Sequence, residues 1–364
     1  MKIALVHDFL IRFGGAESVF LDLKKIFPEA DIFTLFYKKK FTDKYLPGTK
    51  LKTSFLQRRY SFLEKIISGG VFHRALLPWM PQATEDLDFS GYDLVLSSSS
   101  GFVKGIVVPS KAKHICYLHT PTRWAWQNYS ERLGSGKSAI KRGYAHFFRI
   151  WDYEASQRPD TIITNSRYTS LRIKKYYRRN AKVVYPTIEL PTKKLDGLEK
   201  NLGLYFVMVG RLSDYKHIDW AIEALRNTKY KLVIIGDGPE YKNLKLEKKV
   251  ILKGHIEDRR ELMSLVKNSV GLIHLAEEDF GLCVLEAQSL GVPTIVLDKG
   301  GAKEISKKNI NNYIIAGDSK DQAIENLRYL IKNTHLRKHK IMNQNNLNFL
   351  TFKRQILKIV NEKS

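Results

Sequence analysis

The chain has 364 residues, 43% of them hydrophobic and 11% aromatic, which excludes a disordered or fibrous protein and provides for two folded domains. No apolar run approaches the ~20 residues needed to span a bilayer. The two cysteines, Cys116 and Cys283, stand far apart in apolar runs, so neither a disulfide framework nor a structural zinc site is expected and a reducing cytoplasm fits. The formal charge of +24 calls for an anionic partner, a membrane surface ahead of nucleic acid, or for lysine-rich solvated surfaces.

The N-terminal MKIALVHD has the lysine and short apolar run of a signal peptide. His7 and Asp8 interrupt it and no small-residue cleavage site follows, so it reads as a first strand. After it come Gly14, Gly15 and a helix-like stretch, an order in which backbone amides and a helix N-terminus meet a phosphate; a plain turn is the alternative. DIFTLF is the next strand. A basic cluster from Lys38 to Lys65 then runs into LKTSFLQRRYSFLEKIISGGVFHRALLPWM, where basic and bulky apolar residues alternate as in interfacial helices. Asp86-Leu87-Asp88 has the form of a metal-binding Asp-x-Asp, but it precedes a strand in an acidic helix-like stretch and is read as structural. YDLVLSSS and HICYLHT are further strands. The second places His119 at its end, able to bond a sugar hydroxyl, with Trp124 and Trp126 nearby as stacking platforms or as packing. TIITNS and AKVVYP complete the first half; between them SRYTSLRIKKYYRRN carries much of a second basic cluster.

PTIELPTKKLDGLEKNLG is the best linker, and a boundary near residue 190 gives domains 1–190 and 191–345, with 346–364 as a final helix. The second half alternates again: LYFVMVGRL, YKLVIIGDG, KVILKGH, VGLIHLA and VPTIVLD. Short β-branched runs separated by amphipathic stretches specify parallel sheets wrapped in helices. Ligands of such sheets bind beyond the carboxyl ends of the strands, and two facing edges would make a cleft.

The second-half motifs fall at such ends. Arg211 and Lys216 follow a strand, where cations stabilise a departing diphosphate better than the ground state. Gly236-Asp237-Gly238-Pro239 suits a nucleotide edge, and Gly300, Gly301 and Glu304 repeat the order of glycines then an acid at a helix start. The strongest pattern is LAEEDFGLCVLEAQSLGVPTIV. Glu278 and Glu286 have seven residues between them, and Glu286 falls within an apolar helix, where a carboxylate is costly to bury without partners. Vicinal hydroxyls of a ribose or hexose are suitable partners. Gly281 admits ligand oxygens to backbone amides. The chain has no P-loop and no GxGxxG at its first turn, which weakens kinase and dehydrogenase readings, and no metal-ligand cluster.

Together these motifs resemble the retaining glycosyltransferases of family 4, over nearly the whole chain. EEDFGLCVLEAQSLGVPTIVLDKGG is similar to that family's two glutamates flanking Phe-Gly with the following Gly-Gly turn, GRLSDYKHID to its phosphate loop, and FGGAE to its N-terminal glycine pair. LLPWMPQATEDLDFSGYDLVLSSSSGFVKGI and CYLHTPTRWAW resemble a mannosyltransferase branch that builds surface polysaccharides, except that Gln127 stands where that branch often has an acid.

The resemblance implies the GT-B fold: two Rossmann-like domains facing across a cleft, with the last helix crossing back to the first domain. It implies that Glu278 contacts the donor hexose, aided by amides at Phe280, Gly281 and Leu282, and that Glu286 holds the ribose. Arg211 and Lys216, on the loop after Gly210, would hold the diphosphate. His119 would bond the sugar near its anomeric carbon, and Gly14 and Gly15 would line the phosphate and acceptor side. Gly236 would belong to the donor site, and Gly254 and His255 would contact the base. The implied function is hexosyl transfer from GDP-mannose to a lipid-linked or surface-polysaccharide acceptor, without metal or other cofactor, at the cytoplasmic membrane face. A UDP-sugar donor, a nucleotide-sugar epimerase and a nucleic-acid-binding protein stand as alternatives; the last leaves Glu278 and Glu286 unexplained.

Overall fold

A computed structural model describes residues 1–66, 72–127, 139–188, 195, 202–244, 248–306, 312–333 and 347–362. Most of the expected linker lies outside these residues. The chain forms two compact units, Met1–Thr187 with Phe349–Ser364, and Ile188–Asn348.

The first unit is a seven-stranded parallel sheet of β1 (Ile3–His7), β2 (Asp31–Thr34), β3 (Leu51–Thr53), β4 (Leu94–Ser99), β5 (Lys113–Leu118), β6 (Thr161–Thr164) and β7 (Lys182–Val183). Their order is β3-β2-β1-β4-β5-β6-β7. Alternation along β1 divides its side chains between two cores. Leu5 joins Phe20, Leu23 and Ile32 on one face, while Ala4 and Val6 join Phe33, Leu56 and Phe89 on the other. A strand covered on both faces reads as a continuous apolar or small-residue run, and every residue of β4 is buried. The final helix, Phe349–Asn361, inserts Phe352, Ile356, Ile359 and Val360 into the first of these cores. It therefore packs on the first unit, as a helix crossing back should.

The second unit has six parallel strands, β8 (Tyr205–Val209), β9 (Lys231–Ile235), β10 (Val250–Gly254), β11 (Gly271–His274), β12 (Thr294–Leu297) and β13 (Asn312–Ile315), in the order β10-β9-β8-β11-β12-β13. This is the doubly wound order of a Rossmann-type sheet, whose ligand site lies where the winding reverses. That switch falls between β8 and β11 here and between β1 and β4 in the first unit. Phe206 and Met208 face one core, Tyr205 and Val207 the other.

All eleven expected strands are present. Two more, β3 and β13, were not expected. Both are outermost strands with half-solvated side chains, so they lack the unbroken apolar run that announces an inner strand. AKVVYP contributes only the two residues of β7.

Candidate functional site

Each unit carries a cluster of polar side chains at the carboxyl edge of its sheet. In the second unit the cluster straddles the switch. Lys216 ends the short 3-10 turn Asp214–Lys216 after β8, and Glu278 lies in the loop after β11. Lys216 Nζ donates to Glu278 Oε1 at 2.5 Å; Lys216 is buried, whereas about a quarter of the Glu278 side chain is exposed. Burial presses the Lys216 ammonium toward deprotonation, but the Glu278 carboxylate, together with Cys283 and Tyr215, outweighs it and the Lys216 pKa is raised. The pair thus places one retained cation and one accessible carboxylate side by side. Arg211, on the same loop, is exposed.

The glycines here are packing devices. Gly236 has φ 136°, and a β-carbon on it would overlap the Gly210 carbonyl oxygen. Gly210 N–H donates to Ile235 O at 2.9 Å and Gly236 N–H to Gly254 O at 2.7 Å, so Gly210, Gly236 and Gly254 sit on adjacent strand ends. Gly301 N–H donates to Glu278 O at 2.7 Å, and a β-carbon on Gly301 would overlap Asp279. The pair Gly300-Gly301, read from sequence as a ligand turn, therefore packs against the loop that carries Glu278. His255 is exposed and Phe280 is buried. Gly281, at φ 90°, precedes the helix Leu282–Ser289, whose first amides have no intrahelical acceptor.

Glu286 lies on that helix among Val284, Leu285 and Ala287, all buried. Its Oε1 accepts from Arg259 at 2.6 Å. Burial raises the carboxyl's pKa, and the Arg259 charge and hydrogen bond oppose the rise. Arg259, at the start of the helix Arg259–Asn268, went unrecognised in sequence because nothing separates EDRREL from other charged stretches. His274 was also missed. It ends β11 inside an apolar run, with Nε2 3.4 Å from Glu278 Oε2 and Nδ1 3.5 Å from Cys283 Sγ. Burial takes its pKa down to about 4 and raises that of the Cys283 thiol to about 12.

In the first unit the cluster is a row of hydrogen-bonding side chains with a carboxylate, Glu17, at one end. His119 follows β5, and its Nε2 lies 2.8 Å from Ser98 Oγ at the end of β4. Ser98 Oγ is also 3.1 Å from His7 Nδ1 at the end of β1, and His7 Nε2 is 3.5 Å from Glu17 Oε1. Burial, with His7 adding to it, lowers the His119 pKa to about 3. Asp8 accepts from the backbone amides of Ser100 at 2.6 Å and of Phe102 and Val103 at 2.8 Å each. It thereby holds the loop after β4 against β1. Gly14 caps the helix Gly15–Ile26, and a β-carbon on it would stand 3.0 Å from Glu17 Oε2, so its smallness makes room for that carboxylate. His7, Glu17 and Ser98 were not singled out in sequence; VHD and SSSS read as strand ends.

The tryptophans are packing residues. Trp124 stacks on Tyr144 and lies 4.3 Å from the Phe148 ring. Trp126 Nε1 donates to Asp152 at 2.7 Å. Asp152 is fully buried and also accepts from Lys104 at 2.6 Å and from Thr122 and Tyr177 at 2.7 Å each. Four donors satisfy it and fix the loop that follows His119. Within the basic segment, Arg179 donates to the carbonyls of Ser156, Gln157 and Pro159, and Arg172 is buried. Arg167, Lys174, Lys175 and Arg178 remain at the surface. The first basic segment presents Phe55, Phe62, Ile66 and Trp79 to solvent, with Arg59 over the Phe55 and Trp79 rings. Asp88 is used locally, accepting from Ser90 N and Oγ.

Residues 194–347, which cover nearly all of the second unit, match the model of the family described as glycosyl transferases group 1. The chain is 28% identical to an uncharacterized glycosyltransferase of Methanocaldococcus jannaschii, over 56% of each chain, and so spans about half the length of that relative. It is 21% identical to the lipopolysaccharide 1,6-galactosyltransferase of Escherichia coli, over 94% of this chain and 92% of that one. It is 22% identical to the alpha-1,3/1,6-mannosyltransferase of Saccharomyces cerevisiae, over 63% and 54%. Among solved structures, Anabaena HepE in complex with UDP superposes with a TM-score of 0.68 at 17% identity, over 99% of both chains. The fold is thus the GT-B type, two Rossmann-like units.

Proposed function

We propose that the chain is a metal-independent, retaining glycosyltransferase that moves a hexose from a nucleotide sugar to a glycan or lipid-linked acceptor. The observation that carries the reading is the Lys216–Glu278 pair at the switch point of the domain that matches the family model. A cation already held by a carboxylate can exchange partners. When a nucleotide sugar binds, Lys216 and Arg211 turn to the diphosphate, and Glu278, released, accepts from sugar hydroxyls. Glu286 leaves Arg259 for the ribose hydroxyls. The acceptor oxygen bonds the anomeric carbon as the bond from that carbon to the diphosphate breaks. Its proton passes to the departing phosphate oxygen, so no protein nucleophile enters. Lys216 and Arg211 stabilise the charge that grows on the leaving group.

The donor we favour is GDP-mannose, supported by the likeness of the first half to surface-polysaccharide mannosyltransferases and by the yeast mannosyltransferase relative. A UDP-sugar is the second reading, favoured by the full-length similarity to a galactosyltransferase and by the UDP-bound HepE fold. Calorimetric titration without added metal, using GDP-mannose, GDP, UDP-glucose and UDP, tests both. Binding of the guanine pair alone supports GDP-mannose, and binding of the uridine pair replaces it. Binding of none of the four contradicts the proposed donor classes.

The acceptor side works at an anionic membrane surface on the cytoplasmic face. Phe55, Phe62, Ile66 and Trp79, exposed beside Arg58 and Arg59, support this: apolar side chains enter the interface while cations meet headgroups. No helix among the described residues is long and apolar enough to cross a membrane. Sedimentation with anionic vesicles tests the surface, and unchanged binding by Phe62→Ser/Ile66→Ser contradicts it.

A further inference from the structure

In the first unit, Ser98 Oγ lies between two histidine nitrogens, His7 Nδ1 at 3.1 Å and His119 Nε2 at 2.8 Å. A hydroxyl has one proton to give, so at most one of these contacts can be donated by Ser98. The other end of the row decides which. His7 Nε2 faces Glu17 Oε1 at 3.5 Å, and a carboxylate only accepts. A bare Nε2 there would set two acceptors against each other, so a His7 ring with a single proton carries it on Nε2. Its Nδ1 is then the acceptor and takes the Ser98 proton. Ser98 Oγ, having donated to His7, accepts from His119, which must carry its own proton on Nε2.

We infer that Glu17, His7 and Ser98 are positioning residues that hold His119 as its Nε2–H tautomer, leaving Nδ1 as an acceptor for a hydroxyl group of the substrate. A second neutral tautomer would present a donor at the same atom, suited to a carbonyl or phosphate oxygen, so the row selects the chemical class of group that His119 can meet. Burial keeps His119 neutral, as the row requires. Asp8 does not compete for the row, because its carboxylate accepts from three backbone amides. The row also explains Gly14: a side chain there would crowd the Glu17 carboxylate that sets its direction. The tautomer follows from this unit alone. Its use, accepting from a hydroxyl of the donor sugar, rests on the proposed function.

Nitrogen-15 NMR of histidine-labelled full chain at pH 8 reads the tautomer directly, because protonated and bare ring nitrogens resonate far apart. His119→Gln identifies the signals of His119 by their disappearance. The inference expects a protonated Nε2 and a bare Nδ1 at His119, and a second tautomer appearing in Ser98→Ala, where the row is cut. A protonated Nδ1 in the unaltered protein, or an unchanged tautomer in Ser98→Ala, overturns it. Binding supplies an independent arm. Ser98→Ala should weaken the sugar nucleotide by about two- to tenfold, the span of one neutral hydrogen bond, and leave the bare nucleoside diphosphate unchanged. The expected tautomer with no sugar nucleotide bound overturns the use of Nδ1 and the function it rests on, whereas the wrong tautomer overturns the inference itself.

Discussion

The two units solve the same topological problem with different chemistry. Both place their polar residues at a switch point, β1/β4 in one and β8/β11 in the other. In the first, hydrogen bonds pass from ring to hydroxyl to ring, and the buried ion pair of Lys104 with Asp152 is a closed structural hub. In the second, carboxylates are held by cations at partly accessible positions, Lys216 with Glu278 and Arg259 with Glu286. A fully buried carboxylate with four donors, such as Asp152, has no capacity left for a ligand; Glu278, about a quarter exposed, can meet one. The difference separates a charged pair that builds the fold from one that is available for exchange.

Cutting the hub is expected to have the largest effect. Asp152→Ala leaves the Lys104 ammonium buried without its counter-charge and should cost ~3–5 kcal/mol of stability, measured by urea denaturation. A loss below 1 kcal/mol would remove the distinction between the two kinds of pair. Next, Glu278→Ala should raise the barrier to sugar transfer by ~2–4 kcal/mol, the range for one oriented polar contact, seen in kcat. Full turnover in that variant would end the assignment.

Acid sharpens the comparison further. His114 and His119 in the first unit are lowered to about 3 by burial, and His274 in the second to about 4. The unfolded chain takes up these protons near pH 6.5 while the folded chain refuses them. The stability tied to each histidine is therefore present above pH 6.5. It falls by ~1.4 kcal/mol per group per pH unit on acidification, down to the folded pKa. Denaturation at successive pH values should show the first unit losing more than the second; equal losses would count against the burial of His114 and His119 as uncharged rings. The smallest effect belongs to the surface. Vesicle binding should weaken gradually as salt rises, as screening shortens the reach of surface charge, and salt-insensitive binding would deny the basic segment its part.

Much of this arrangement was legible in the sequence. Inner strands declare themselves because both faces are buried, and Glu278, Glu286 and Lys216 stand out because charge at such strand ends and in such a helix needs a reason. His7, Ser98 and His274 did not stand out. Each lies within an apolar or small-residue strand, and its role comes from a neighbour distant in sequence: Ser98 is 91 residues from His7. Gly300 and Gly301 looked like a ligand turn because glycine marks any close approach, here that of the Glu278 loop. Trp124 and Trp126 left stacking and packing equally open until Tyr144, Phe148 and Asp152 were seen against them.

The central claim is that Glu278 reads the sugar while Glu286 reads the nucleoside. Calorimetry of the unaltered chain, Glu278→Ala and Glu286→Ala against one sugar nucleotide and its bare nucleoside diphosphate tests it most directly. The account predicts that Glu278→Ala erases the preference for the sugar nucleotide over the diphosphate, while Glu286→Ala weakens both alike. Equal weakening of both ligands by Glu278→Ala, or none by Glu286→Ala, would contradict it.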